Sequence, residues 1–483
     1  MPSPKPALKT PKQKPSNARA KVHRQVFPPE RMSPVDRAWL RMESPANLMM
    51  ILGVWIIKPG VRFEAVTQRL EERLLQYPRF GQRVEEDAMG ACWVPDEDFR
   101  IERHVVLEHL PMTAKGQEPQ ALQNLLATLA VKPLDMNFPL WQFHLVERYR
   151  GGSALLARIH HCIADGVALI GVTKSMVDGG VMPRAARATA LGDERLAGMR
   201  DLLSGLWPEP KKGLEILLEK VLSGSADLAK NAYLALQDAS ALAFMPDDSP
   251  TRLKGTPGLL KRVAWCEPLP FEEVKAVAQA LNCSINDLLT SCVAGALSSY
   301  LKDWGDAVQG KEIRAMVPVN LRTAADVGKV GNHFGLAPLV LPLGVENPIE
   351  RVYEVRRRMA EMKGSFQPLF TLGLLAAAGL LVKPGQDALL ELFSKKTTLV
   401  LTNVPGPREK LKFLGATLEQ DLVWVPQSGT VGLGVSLLSY GGGVQFGVIG
   451  DADLCPEPQA LVEKFASEFA KLSLLTLMLP WGA

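Results

Sequence analysis

Apolar residues along this chain recur with two periods, and the switches between them mark its elements. Residues 48–57 (LMMILGVWII) are almost continuously apolar with β-branched members, the pattern of a buried strand, while 63–75 carries its apolar residues at helical spacing. Ahead of them, Ser33-Pro34-Val35-Asp36 places an N-cap residue before a proline at the first helical position, predicting a short helix through Trp39 and Leu40. Strands are predicted over 91–94, 99–107, 141–148 and 155–161, with an amphipathic helix over 117–131 and a turn at Gly151-Gly152. The second half repeats this rhythm. It predicts strands over 262–266, 313–319, 397–403, 430–438 and 444–449, and helices over 271–280 and 285–300. Two similar α/β layers are implied, and no short repeat points to a solenoid.

Between about 180 and 255 the texture becomes polar and rich in Ala, Leu and Lys, closing in the breaker cluster Pro246-Asp247-Asp248-Ser249-Pro250. At 483 residues the chain exceeds what one core organises, which is ~250 to 300 residues. The expected domains are therefore a basic tail (1–28), an N-terminal domain (29–180), a helical connection (181–255) and a C-terminal domain (256–483). The tail is rich in Pro and Lys and is expected to be disordered, because it cannot bury enough apolar surface to offset its ordering entropy.

Seven basic residues and no acid fall in that tail, so the formal net charge of +4 conceals a mildly acidic remainder. That distribution, without interleaved aromatic and basic residues, excludes a nucleic-acid reader. Hydrophobic residues at 47% and charged residues at 22% exclude both a disordered chain and a polytopic membrane protein. Six scattered cysteines with no CxxC suggest neither a disulfide scaffold nor structural zinc. The first 25 residues lack the apolar run of a secretory signal, so a cytoplasmic location is expected. The longest apolar stretch, 370–382, has 13 residues, short of the ~20 that span a bilayer. It reads as a core helix, or as a segment lining a lipid tunnel or touching a membrane surface.

Candidate chemistry centres on His160-His161-Cys162-Ile163-Ala164-Asp165-Gly166, where an apolar strand meets the start of a helix. Neighbouring strand residues face opposite ways, so one histidine is expected to enter a given site, which counts against a metal ion shared by both. By local chemistry Asp165 is an N-cap for the helical run after it, and Ser284-Ile285-Asn286-Asp287 also opens a helix.

This string matches the HHxxxDG motif of the chloramphenicol acetyltransferase-like acyltransferases. Together with Pro139-Leu140-Trp141, Ser284-Ile285-Asn286-Asp287 and Asn403-Val404-Pro405-Gly406-Pro407, in this order, the chain resembles the bacterial wax ester synthase/acyl-CoA:diacylglycerol acyltransferase family over residues 30–475 or so. One departure is Met50, which stands in the first strand where many members carry histidine.

The resemblance implies two chloramphenicol acetyltransferase-like (condensation-domain-like) α/β sandwich domains with the active site at their interface. It implies an O-acyltransferase that uses acyl-CoA as co-substrate, binds no cofactor or metal, and acylates diacylglycerol or a long-chain alcohol. His161 is then the general base, attack on the thioester is direct, and His160 has an orienting part. Asp165 forms an ion pair that shapes the loop with Gly166. Asn286 and Asp287 lie near the site, and Pro139, Leu140 and Trp141 shape channels or packing. Two rival readings are a carrier-protein-dependent condensation or offloading acyltransferase and an inactive binding protein on the same fold. Insoluble substrates also imply peripheral contact with the inner membrane or a lipid droplet.

Overall fold

The computed structural model describes residues 27–87, 90–111, 116–181, 245–322, 330–365, 367–381 and 383–478. The tail as far as 26 and the connection from 182 to 244 lie outside the described residues.

Two mixed sheets organise the molecule. The first has the spatial order β13 (Lys412–Phe413), β14 (Ala416–Trp424), β2 (Met50–Lys58), β7 (Gly152–His160), β6 (Trp141–Tyr149) and β5 (Val105–Glu108). The second runs β11 (Phe334–Pro342), β10 (Glu312–Asn320), β12 (Leu399–Pro405), β15 (Leu433–Tyr440), β16 (Gly443–Asp451) and β8 (Lys261–Trp265), with β9 (Leu269–Pro270) beside β16. A small sheet of β1 (Glu30–Arg31), β4 (Gly90–Pro95) and β3 (Gln82–Asp87) flanks the first.

Local chemistry explains the elements that hold the site. Helix α1 (Pro34–Arg41) starts where the Ser33 hydroxyl accepts from the Asp36 N–H, with Pro34 at a position whose N–H would be unpaired anyway. Strand β2 is apolar along almost its whole length because consecutive residues, and so both its faces, are buried. Helices α2 (Phe63–Leu74), α3 (Glu118–Ala130) and α4 (Gly166–Met176) complete the first half. In the second, α5 (Phe271–Ala280) precedes α6 (Ile285–Asp303), which opens with a capping box: Ser284 Oγ accepts from Asp287 N at 3.1 Å and Asp287 Oδ2 accepts from Ser284 N at 3.0 Å. Then follow α7 (Pro348–Lys363), α8 (Gln367–Leu380), α9 (Lys383–Ser394) and α10 (Pro458–Leu477).

The apolar stretch over 370–382 falls mainly in α8, which packs across α1 and β11. The approach is close enough that a Cβ on Gly379 would overlap the Pro34 carbonyl oxygen, and one on Gly335 that of Pro368. Leu369 and Leu375 are buried, while Leu380 and Leu381 stay exposed. Among the described residues no helix is long and apolar enough to cross a membrane.

Two differences from the sequence reading have physical causes. The strand expected over 99–107 is a 3₁₀ turn, Ile101–Arg103, followed by β5; Arg103 bonds back to Asp98 and Arg100, and pairing with β6 begins only at Val105. Division by sequence position also does not describe sheet membership. Strand β14, from the C-terminal stretch, pairs antiparallel with β2 and places Leu422 and Trp424 in the first core. The halves are therefore stitched together.

Candidate active site

The tandem histidines stand at the end of β7. His160 N–H donates to Leu140 O at 2.9 Å on the β6 side, and His161 N–H donates to Met49 O at 2.7 Å on the β2 side. Their surroundings differ accordingly. His160 Nδ1 accepts from Cys162 N at 3.1 Å, which leaves the ring proton on Nε2, 3.2 Å from Glu43 Oε2. His161 instead stacks on Trp39 of α1 (centroids 4.1 Å apart) and meets Phe334 of β11 (5.5 Å).

Only 3% of His161 is exposed. Burial pushes its pKa down to about 4, outweighing Asp165, its own carbonyl and the Asn332 side chain, which favour the protonated ring. The imidazole is therefore neutral at neutral pH.

Asp165 has two functions. Its Oδ1 caps α4 by accepting from Ala168 N at 2.9 Å, while Oδ2 accepts from Arg322 Nη2 and His333 N, each at 2.9 Å. The cap and the ion pair are thus two faces of one carboxylate. A Cβ at the neighbouring Gly166 would meet nothing within 4 Å, so the loop borders open space there.

A second ion pair sits beneath the loop. Arg79 and Asp36, both buried, lie 3.0 Å apart; Arg79 Nη1 also donates to Ile163 O at 2.9 Å. Asn332 Nδ2 bridges Asp36 Oδ1 and His161 O, 2.8 Å to each. The carbonyls of 161 and 163 are thus held by groups from opposite halves of the chain. Sequence reasoning missed Arg79, Asn332 and Glu43. Arg79 carries no motif of its own. Gly331-Asn332 stands in none of the motifs quoted above, and only Asp36, quoted within the helix signal, was in view.

The other anticipated residues fall into two groups. Leu140 receives the His160 N–H, and Trp141 is fully buried, donating from Nε1 to Phe80 O at 2.9 Å and stacking on His104 (4.4 Å), so Pro139-Leu140-Trp141 packs behind the histidines. Asn286 accepts a hydrogen bond from Asn403, tying the start of α6 to β12, while Asp287 closes the capping box. These bonds join the two motifs to each other rather than to the histidine loop. Among the described residues, no group of three or more His, Cys, Asp or Glu side chains is placed to hold a metal ion.

A double α/β architecture with an HHxxxDG loop pinned between its halves defines the chloramphenicol acetyltransferase-like class of fold. Residues 32–289 match the wax ester synthase/diacylglycerol acyltransferase catalytic domain and residues 330–473 the WS/DGAT C-terminal domain. The chain belongs to the wax ester synthase/diacylglycerol acyltransferase family and is an O-acyltransferase. It is similar to a probable diacylglycerol O-acyltransferase of Mycobacterium tuberculosis, 27% identical over 91% of this chain and 95% of that one. Among solved structures it resembles the wax ester synthase/diacylglycerol acyltransferase of Marinobacter aquaeolei VT8 (21% identity, TM-score 0.63, 93% and 100% covered). It also resembles the first condensation domain of the CDA synthetase (17% identity, TM-score 0.56, 94% and 97% covered).

Proposed function

We propose that the protein transfers a long-chain acyl group from acyl-CoA to the hydroxyl of diacylglycerol or of a long-chain alcohol, with His161 as general base. The observation that carries this reading is a buried imidazole, kept neutral and held by both halves of the chain. The Mycobacterium tuberculosis relative is named for diacylglycerol and the Marinobacter one for both products, which supports the two acceptors.

Chemically, the acceptor oxygen attacks the thioester carbonyl carbon while His161 takes the hydroxyl proton. The tetrahedral adduct then collapses, the C–S bond breaks, and the imidazolium returns its proton to the departing thiolate, so no acyl-enzyme is formed. A ring whose pKa burial depresses to about 4 is a weak base toward an alcohol that has not yet begun to bond, and its proton affinity rises only as negative charge develops beside it. Proton transfer in step with C–O bond formation suits such a base. His160, whose Nε2 proton faces Glu43, orients the loop and does not compete for the substrate proton.

Purified protein supplied with palmitoyl-CoA, hexadecanol and diacylglycerol in competition reports acceptor choice by lipid analysis. Activity without a carrier protein and in EDTA is expected. His161→Ala should lose ~10² to 10⁴ in rate; a folded variant within threefold of wild type would remove His161 from this role.

Such substrates require contact with a lipid phase. Leu380 and Leu381 after α8, and Leu474, Leu477 and Met478 at the end of α10, present exposed apolar side chains. The tail adds seven basic residues, each worth ~1 kcal/mol near an anionic surface. Peripheral binding to anionic vesicles or triacylglycerol droplets, weakened by salt where the tail dominates, is expected in flotation.

A further inference from the structure

Asn332 reaches the histidine loop from the second half of the chain. Its backbone N–H donates to Asp36 Oδ1 at 3.3 Å, and its Nδ2 is fixed by two acceptors, Asp36 Oδ1 and the His161 carbonyl, at 2.8 Å each. The amide orientation follows from chemistry. Turning it over would set Oδ1 against a carboxylate and a carbonyl, three acceptors with no donor between them. With Nδ2 so held, two atoms are left over: Asn332 Oδ1 and His161 Nδ1, both sealed from solvent and neither in a made hydrogen bond. The Asn332 side chain is among the groups that favour the protonated His161 ring, as an acceptor oxygen beside the imidazole would. Two sealed polar atoms without partners thus sit on side chains already joined through the His161 carbonyl, and buried groups of this kind pair when a site tightens around its substrate.

We infer that Asn332 is a positioning residue for His161: its Oδ1 accepts a hydrogen bond from the imidazole Nδ1–H and fixes the tautomer that leaves Nε2 free to act as base. A neutral imidazole carries one proton on one of two nitrogens. With that proton on Nε2 the ring offers the acceptor hydroxyl a donor where it needs an acceptor, and the base is lost without any change in loop geometry. The Asp36–Arg79 ion pair then acts indirectly, by holding the amide that holds the ring. This inference rests on the reading of His161 as base.

The test uses the full-length protein labelled with ¹⁵N-histidine. Long-range ¹H–¹⁵N correlation spectra report the tautomer of each ring, and His161→Gln identifies the His161 signals by their loss. Wild type should show His161 as the Nδ1–H tautomer; an Nε2–H ring in wild type overturns the inference without need of any variant. Asn332→Ala should shift His161 toward Nε2–H or a mixture and lower kcat ~10- to 100-fold, with KM for palmitoyl-CoA within about threefold. Asn332→Ala with the Nδ1–H tautomer intact also overturns it, whatever its rate, because the carbonyl of His161 itself would then suffice. The underlying reading fails separately: it falls if His161→Gln keeps its activity, whereas an inactive His161→Gln beside an unperturbed Asn332→Ala sinks only the role given to Asn332.

Discussion

Replacing Arg79 with Met removes one partner of a buried ion pair and leaves the other in place. Asp36 is 1% exposed, so in Arg79→Met its carboxylate keeps the Asn332 hydrogen bonds but loses its cation. Uncompensated buried charges of this kind cost ~3 to 5 kcal/mol. The loss of the bond to Ile163 O adds to the cost. Unfolding entropy near ~2.1 cal/mol/K per residue makes 4 kcal/mol worth a fall in Tm of ~4 °C if the whole chain melts together, and ~9 °C if a unit of ~200 residues melts alone. The double variant Arg79→Met/Asp36→Asn removes both charges, and the amide oxygen it introduces can still accept from Asn332. It should therefore be less destabilised than Arg79→Met alone, by ~1 to 3 kcal/mol. Urea unfolding of wild type, both single variants and the double variant, followed by tryptophan fluorescence, gives the coupling energy directly. Costs that add to within ~0.5 kcal/mol would show that Arg79 and Asp36 do not act as a unit, and would refute the account of how the loop is clamped.

The depressed pKa of His161 sets a sign for stability against pH. The unfolded ring titrates near 6.5 and the folded one near 4, so the unfolded chain binds more protons between these values, and stability is lost as pH falls through that window, ~3 kcal/mol in total. His161→Gln should lack this component, and parallel pH profiles for the two proteins would contradict it; kcat/KM should stay flat from pH ~7.5 to ~5.5 for the same reason. Asp165→Asn keeps an N-cap for α4 and Asp165→Ala does not, so chemical denaturation should place the Ala variant ~1 kcal/mol below the Asn variant, while both lose activity with the Arg322 pairing. Equal stability of the two would deny the cap. Gly166→Ala places its Cβ in open space at the start of a helix, so Tm should hold or rise while KM for acyl-CoA increases, and an unchanged KM would show that no substrate uses that space.

What was legible in the sequence is what short-range chemistry dictates. Ser33-Pro34 and Ser284 to Asp287 announce helix starts through bonds spanning three residues, and 48–57 is apolar because both faces of its strand are buried. Strand β11 was missed because Pro338 and Pro342 read as breakers; its edge position tolerates them, since an edge strand need not donate on its outer side. Strand β14 was missed because the register shift between Leu418 and Gln420 interrupts its alternation. The site divides along the same line. The HHxxxDG string supplies His161, whereas the groups that tune it come from positions 36, 79, 322 and 332, joined by bonds across 83 to 296 residues that no local pattern records. The histidine itself is encoded locally, whereas the groups that bury and hold it, Trp39, Phe334 and Asn332, come from both halves. A change at Asn332 or Arg79 should therefore alter catalysis while leaving every residue of the motif untouched.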